Sequence, residues 1–310
     1  MVTTNNEVPL YDELPIFDKI GMPHSWDYFG REDELGALNF LTPEVKAAAA
    51  SEVRVGVSVS LNLPMRQPNP PLFGREPFDH QIFSMDRNSW DDKLDGYYPQ
   101  SSTQWDGFRH VRAREFGFFG GRTGNPNEDL SWLGIDKWAK QGIVGRGVLV
   151  DVEAYLQRNG QQVPFDEEFA ITPELIDEIL TVQGVTKRRG DILLVRTAWS
   201  AKKVSQGNAD IEKIPGVHAG EETARYLWNW GIAALATDTP AVEPVPGDPA
   251  VGSLHRRLLP LLGIPLGELF DLEELSVQCH KHNTFSFLFT SAPLNLEGGT
   301  GSPANAVAIL

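Results

Sequence analysis

The chain has 310 residues, enough to bury a large core, and with 41% hydrophobic residues its composition is globular rather than disordered. Its 42 acidic and 27 basic residues give a formal charge of -15, which repels nucleic-acid phosphates and anionic membrane surfaces and sets both aside as partners. One cysteine, Cys279, excludes an internal disulfide, and neither a secretory signal nor an apolar run of membrane-spanning length is visible, so a soluble, cytoplasmic protein is expected.

Residues 1–40 are rich in Pro, Asp, Gly and aromatics without a steady period and read as an N-terminal arm packed on a main domain spanning 41–310. Thr42-Pro43-Glu44 offers an N-cap, a proline at the first helical position and an early acid, predicting a short helix through Ala50. Val53, Val55, Val57, Val59, Leu61 and Leu63 alternate with smaller or polar residues, the period of a half-buried strand that ends at Pro64. From Gln67 to Arg122 no long periodic element is predicted, and a loop region of that length in a compact domain is more often functional than filler.

Beyond it, strand and helix signals interleave. Helices are predicted over Ile135–Gln141, from Pro173 to about Val182, over Glu221–Trp230 up to Gly231, and over His255–Leu262. Strands are predicted over Gly147–Val152, Asp191–Thr197, Ile232–Thr237 and Thr284–Thr290. This alternation gives an α/β class, a single domain with central β-sheets and surrounding helices, and no repeat or linker divides it.

The stretch Gln100–His110 gathers hydroxyls, two carboxamides, a carboxylate and an imidazole inside the long loop. Asp106 and His110 read either as an i, i+4 pair bridging a turn or as a metal ligand and a proton-transfer group. A Gly-rich phosphate loop and a Gly-x-Ser-x-Gly elbow are both absent, which removes nucleotide binding and leaves little for a serine hydrolase. Metal chemistry remains, with His255 and Glu268 as further candidates. His255 alone reads as an ordinary histidine, but Glu268 sits in the apolar frame Ile264–Phe270, where a carboxylate needs a cation or strong donors to stay ionised. Cys279–His282 reads as a polar, solvated segment, because adjacent side chains do not converge easily on one ion. The loop aromatics either pack beneath it or line a pocket for a flat substrate.

Asp106 and His110 stand in register with the last half of the motif H-x-G-T-H-x-D-x-P-x-H, and four further blocks follow the same order: Asp33–Asn39, Gly190–Thr197, Thr237–Glu243, and His255 with Gly263–Glu268, before a C-terminal Gly301–Ala306. On these residues the whole chain resembles the cyclase family that includes bacterial-type kynurenine formamidase and isatin hydrolase, metal-dependent amidohydrolases with a swivelling β/β/α fold. It departs from the motif at Gln100 and Gln104, which replace two histidines, and at Ser102, which replaces a glycine, while Thr103 is kept.

The resemblance implies that Asp106, His255 and Glu268 hold a divalent ion, manganese or zinc, and that His110 is the general acid/base. Gln100 and Gln104 would add at most neutral amide oxygens, so one ion rather than two is expected. Asp106 also counts among the catalytic groups, and Thr103, Trp105 and Phe108 are the expected substrate contacts. The implied reaction is hydrolysis of an aryl formamide or cyclic amide, with a small, aromatic substrate as partner and a homodimer or homotetramer as the assembly. Two alternatives keep the fold: a metal-free isomerase or cyclase using Asp106 and His110, and a non-catalytic small-molecule binding protein.

Overall fold

A mixed nine-stranded sheet organises the chain among the residues described by a computed structural model, which are 8–204, 207 and 211–310. In chain order we number the strands β1 (Ser58–Ser60), β2 (Asp79–Ser84), β3 (Trp90–Asp95), β4 (Gln104–Asp106), β5 (Ile143–Asp151), β6 (Ile192–Arg196), β7 (Ala234–Thr237), β8 (Leu266–Glu268), β9 (Ser286–Ser291), β10 (Gly301–Pro303) and β11 (Ala306–Ile309). The principal helices are α1 (Pro43–Ala49), α2 (Asp136–Gln141), α3 (Val152–Arg158), α4 (Pro173–Gln183), α5 (Glu221–Trp230), α6 (Leu254–Arg257) and α7 (Glu273–His282).

The order across the sheet is β10-β4-β8-β7-β6-β5-β9-β11-β1. Its centre, β8 to β5, is parallel. All residues of β6 and β7 are buried, as expected of parallel strands covered on both faces. The outer strands are antiparallel. Just past β1, Asn62 bridges Phe270, and the Leu63 amide donates to Thr103 Oγ1 at 2.8 Å, so one end of the sheet curls back onto the neighbourhood of β4 and β8.

Local sequence sets the helix ends. Thr172 Oγ1 accepts from the Leu175 amide ahead of Pro173, and α4 stops at Gly184 with φ 68°, a left-handed turn that glycine adopts without steric cost. The arm lies against the body from residue 8 onward: Trp26 Nε1 donates to Pro260 O at 2.6 Å, and Trp228 Nε1 donates to Pro9 O at 2.9 Å. Gly36 has φ +53°, and a Cβ there would lie 2.2 Å from Gly263 O. Residues 1–7 of the expected arm lie outside the described residues.

Four expectations are corrected. The strand over 53–63 shrinks to Ser58–Ser60, because β1 is an edge paired with β11 alone, and Val53 and Val55 are 38% and 40% exposed. The long loop contains a hairpin, β2–β3, paired only with itself; nearly all its residues are exposed on both faces, so no burial alternation marks it. Cys279–His282 is the last turn of α7, where the helical period buries Leu275, Ser276 and Cys279 together. The segment after α6 continues as a wider π turn over Leu258–Leu262 rather than a regular helix. Among the described residues no helix is long and apolar enough to cross a membrane.

Candidate active site

The site is built on the pairing of β4 with β8, in which Glu268 faces Gln104 and Leu266 faces Asp106. Opposite and alternate residues share a face, so Gln104, Asp106 and Glu268 project to one side while Trp105 and Gly267 turn to the other. Trp105 is fully buried there, its ring against Phe270 and Phe289 and its Nε1 donating to Ser291 Oγ at 2.9 Å. On the far side of β4, Gly301 leaves space for Gln100: a Cβ would lie 2.6 Å from its Cδ.

His255 enters from α6, whose first turn is capped by Ser253 Oγ. Its Nε2 lies 3.2 Å from Glu268 Oε1 and 3.5 Å from Asp106 Oδ2. One ligand atom from each of Asp106, His255 and Glu268 falls within 4.8 Å of the others. At its other nitrogen, Nδ1, His255 meets Glu243 Oε2 at 2.5 Å, and Glu243 also accepts from Ser253 Oγ at 2.8 Å. His110, four residues after Asp106, places Nε2 3.8 Å from Asp106 Oδ2 and Nδ1 3.2 Å from Gln100 Nε2.

The charges conflict in an informative way. Burial pushes Glu268 up to about 7, and the charge of Asp106 pushes the same way. Asp106 is buried too, but His110 and His255 outweigh that and hold it below the usual carboxylate range. For Glu243, burial is outweighed by His255, which draws it down to about 2. Burial opposes charge on His255, yet Glu243, then Asp106 and Glu268, raise it well above the ordinary imidazole range. Asp106 Oδ2 and Gln104 Oε1 are buried and accept no hydrogen bond. Asp106 Oδ2 is faced by His255 Nε2 at 3.5 Å and His110 Nε2 at 3.8 Å but makes no hydrogen bond, and the Glu268 carboxylate lies nearby. A buried carboxylate oxygen without a hydrogen bond is costly, and a bound cation would satisfy it and relieve the repulsion between Asp106 and Glu268. Two carboxylates and an imidazole with this orphaned oxygen fit a divalent ion.

The expected residues therefore divide. Asp106, His255, Glu268 and His110 come together. Gln100 and Gln104 also border the cluster, but each turns its carboxamide NH2, not its oxygen, toward it: Gln100 donates to Asp106 Oδ1 at 2.5 Å and Gln104 to Glu268 Oε2 at 2.8 Å. In this arrangement they orient the carboxylates rather than add ligands. Thr103, Trp105 and Phe108, expected to touch substrate, are corrected to framework. Thr103 Oγ1 donates to Leu269 O at 2.5 Å, and Phe108 is fully buried against Phe119 and Trp138, so none of the three presents a surface to a ligand. Glu243 was not singled out from sequence; its only signal is its place at the end of the Thr237–Glu243 block.

The cyclase family model, described as "Putative cyclase", matches residues 56–244. A crystal structure of a novel cyclase superposes with a TM-score of 0.77 at 29% identity, covering 93% of this chain and 99% of that one. Isatin hydrolase A from Labrenzia aggregata bound to benzyl benzoate is similar at 19% identity and TM-score 0.56, covering 88% and 98% of the two chains. An isatin hydrolase bound to the product analogue thioisatinate gives 16% identity and TM-score 0.59, covering 88% and 97%. No curated protein matches the chain.

Proposed function

The chain belongs to the cyclase family, and from that premise we propose that it is a metal-dependent hydrolase of an amide-type C–N bond, an aryl formamide or a cyclic amide. The observation that carries this reading is the meeting of Asp106, His255 and Glu268, with a buried Asp106 oxygen that makes no hydrogen bond. These three residues would hold one divalent ion, manganese or zinc, with imidazole suiting zinc and carboxylate suiting manganese. Such an ion supplies polarisation of a carbonyl and a lowered pKa of water.

The chain's own residues supply the rest. Glu243 holds His255 Nδ1 and so points Nε2 at the carboxylates. Gln104 steadies Glu268, and Gln100 fixes both Asp106 and the ring of His110. With Nδ1 held by Gln100, Nε2 is the atom of His110 that faces the cluster, on a side chain that is 33% exposed. At Nε2 the imidazole takes the proton released as water adds to the carbonyl carbon. It then delivers that proton to the nitrogen as the C–N bond breaks, giving an acid and an amine.

The test is metal analysis of protein purified without chelator, followed by turnover of aryl formamides and cyclic amides by the native chain and by His110→Ala. Metal bound in the native protein and lost in Asp106→Asn, with turnover abolished in His110→Ala, is the expected result. Metal-free protein that still acts on a small substrate would instead favour an isomerase or cyclase. That second reading draws on the hydrogen bonds the glutamines already give to Asp106 and Glu268.

A further inference from the structure

Beside the metal cluster lies a cavity of about 770 Å³, and His255 and Glu243 form part of its wall. That volume is in the range of pockets that enclose small organic ligands. Its charge runs against the chain as a whole. In a protein of net charge -15, the cavity is bordered by Lys19, Arg114, Arg256 and Arg257, with Glu243 and Asp248 as the acidic counterparts. Glu243 is already engaged by His255, and Asp248 is an exposed residue whose Oδ1 accepts from the Ala250 amide.

Arg257 is the informative one. It is only 9% exposed, and its hydrogen bonds go to backbone carbonyls, Nη1 to Ala219 O at 3.1 Å and to Ser253 O at 3.5 Å. Its Nε is buried without a partner, and among the described residues it makes no ion pair. A buried guanidinium without a carboxylate is a costly arrangement unless an anion arrives from outside. The backbone is shaped to admit the group: Gly252 has φ +100°, and a Cβ there would lie 2.5 Å from Arg257 Nη1. Arg114 and Arg256 are exposed at the same cavity and likewise make no ion pair among the described residues, while Lys19 lies over the ring of Phe116 at 5.3 Å.

We infer that this cavity is an anion-binding subsite, with Arg257 as its buried anchor and Arg114, Arg256 and Lys19 at its border, so that the substrate carries a carboxylate beside its scissile amide. The inference rests on the hydrolase reading above only for the identity of that amide. Arginine suits the task because its planar fork matches a carboxylate through two parallel hydrogen bonds. His255 precedes Arg256 and Arg257 on the same helix, so one short element carries both a metal ligand and the groups that recognise the anion.

Binding tests the subsite without requiring turnover. Isophthalate and its neutral counterpart isophthalamide are titrated calorimetrically into the metal-loaded protein and into Glu268→Gln, from which the ion is lost. The native protein is expected to prefer isophthalate at least ten-fold, and Glu268→Gln to retain a preference. Arg257→Gln, and separately the exposed pair Arg114→Gln with Arg256→Gln, are expected to reduce that preference ten-fold or more; the exposed pair keeps the test open should Arg257→Gln fail to fold. Equal binding of the two probes overturns the subsite. So does a preference that disappears with the ion and ignores the arginines, since the carboxylate is then binding the metal. An arginine-dependent preference in a protein that cleaves no amide supports the subsite and removes only the hydrolase reading, whereas amide cleavage without any anion preference removes only the subsite.

Discussion

At His255 one imidazole answers three carboxylates, Glu243 through Nδ1 and Asp106 and Glu268 through Nε2. The Glu243 contact decides which nitrogen gives up its proton to an ion, because a neutral ring that donates Nδ1–H to Glu243 keeps its lone pair at Nε2. Glu243→Gln keeps the shape and removes the charge, and is expected to lower metal affinity about 10- to 100-fold, the usual effect of losing a group that orients a ligand. Glu268→Gln removes the charge of a proposed ligand and should lose metal and activity together. Metal content after dialysis, measured on both variants, checks the order, and full metal retention in Glu268→Gln would count against the assignment. Glu268 was legible in the sequence because a lone carboxylate in an apolar frame demands an explanation. Glu243 was not, since the pairing that gives it a role joins side chains 12 residues apart across a turn that has no period. Trp105 misled for the opposite reason: a strand alternates its faces, so an aromatic between Gln104 and Asp106 points away from them, while Phe108, in the turn after β4, packs against Phe119 and Trp138.

The elements that frame the cluster depend on small residues and internal ion pairs. Gly267 on β8 lies against Trp105, Phe270 and Ala236, where a Cβ would meet ring and methyl carbons at 2.6 to 3.0 Å. Gly267→Ala is therefore expected to destabilise the fold by about 1–3 kcal/mol through overpacking and to shift Glu268, so that thermal unfolding and metal affinity fall together. At the far end of β5, Asp151 ties β6 to α3 and α7 by accepting from Arg196 Nη1 at 2.7 Å, Ser276 Oγ at 2.5 Å and the Ala154 amide at 3.2 Å, with His280 Nε2 at 3.1 Å. Burial opposes its charge, but His280, Arg196 and Ser276 hold it at about 2, below the ordinary 3.8. A lowered carboxylate pKa adds stability that is fully present above the unfolded value near 4 and is lost as pH falls through about 2. That amounts to about 2 kcal/mol. Asp151→Asn should lose at least this much at neutral pH and flatten the acid limb of a stability-against-pH curve; an unchanged limb would mean that Asp151 does not drive it. The sequence marked β6, α4 and α5 well because caps, glycine stops and unbroken apolar runs are local signals. The three-residue strands β4, β8 and β10 were unreadable because pairing with distant segments, not local period, defines them.

Across the molecule, the curled sheet brings together segments that the chain keeps far apart: Gln104 on β4 meets Glu268 on β8 across a separation of 164 residues, and His255 reaches both carboxylates from α6. Ordered sequence blocks made the fold legible in outline and named the residues that meet in the cluster, while the hairpin and the curl needed coordinates. The same arrangement couples metal to stability, because the site exists only when β4, β8 and α6 are docked, and the unfolded chain has no comparable cluster. An ion present at a hundredfold excess over its dissociation constant then stabilises the native state by about 2.7 kcal/mol. For a chain of this size each kcal/mol moves the thermal midpoint by about 2 °C, so removing the ion should lower it by several degrees. Burial, with repulsion from Asp106 added to it, raises Glu268 to about 7; on stripping, that penalty on a charged Glu268 returns and makes the loss larger above neutral pH, where both carboxylates are ionised. Thermal scans with and without chelator, on the native chain and on Glu268→Gln, check this. The chelator shift should vanish in the variant, and a native midpoint indifferent to chelator would mean that any bound ion sits elsewhere.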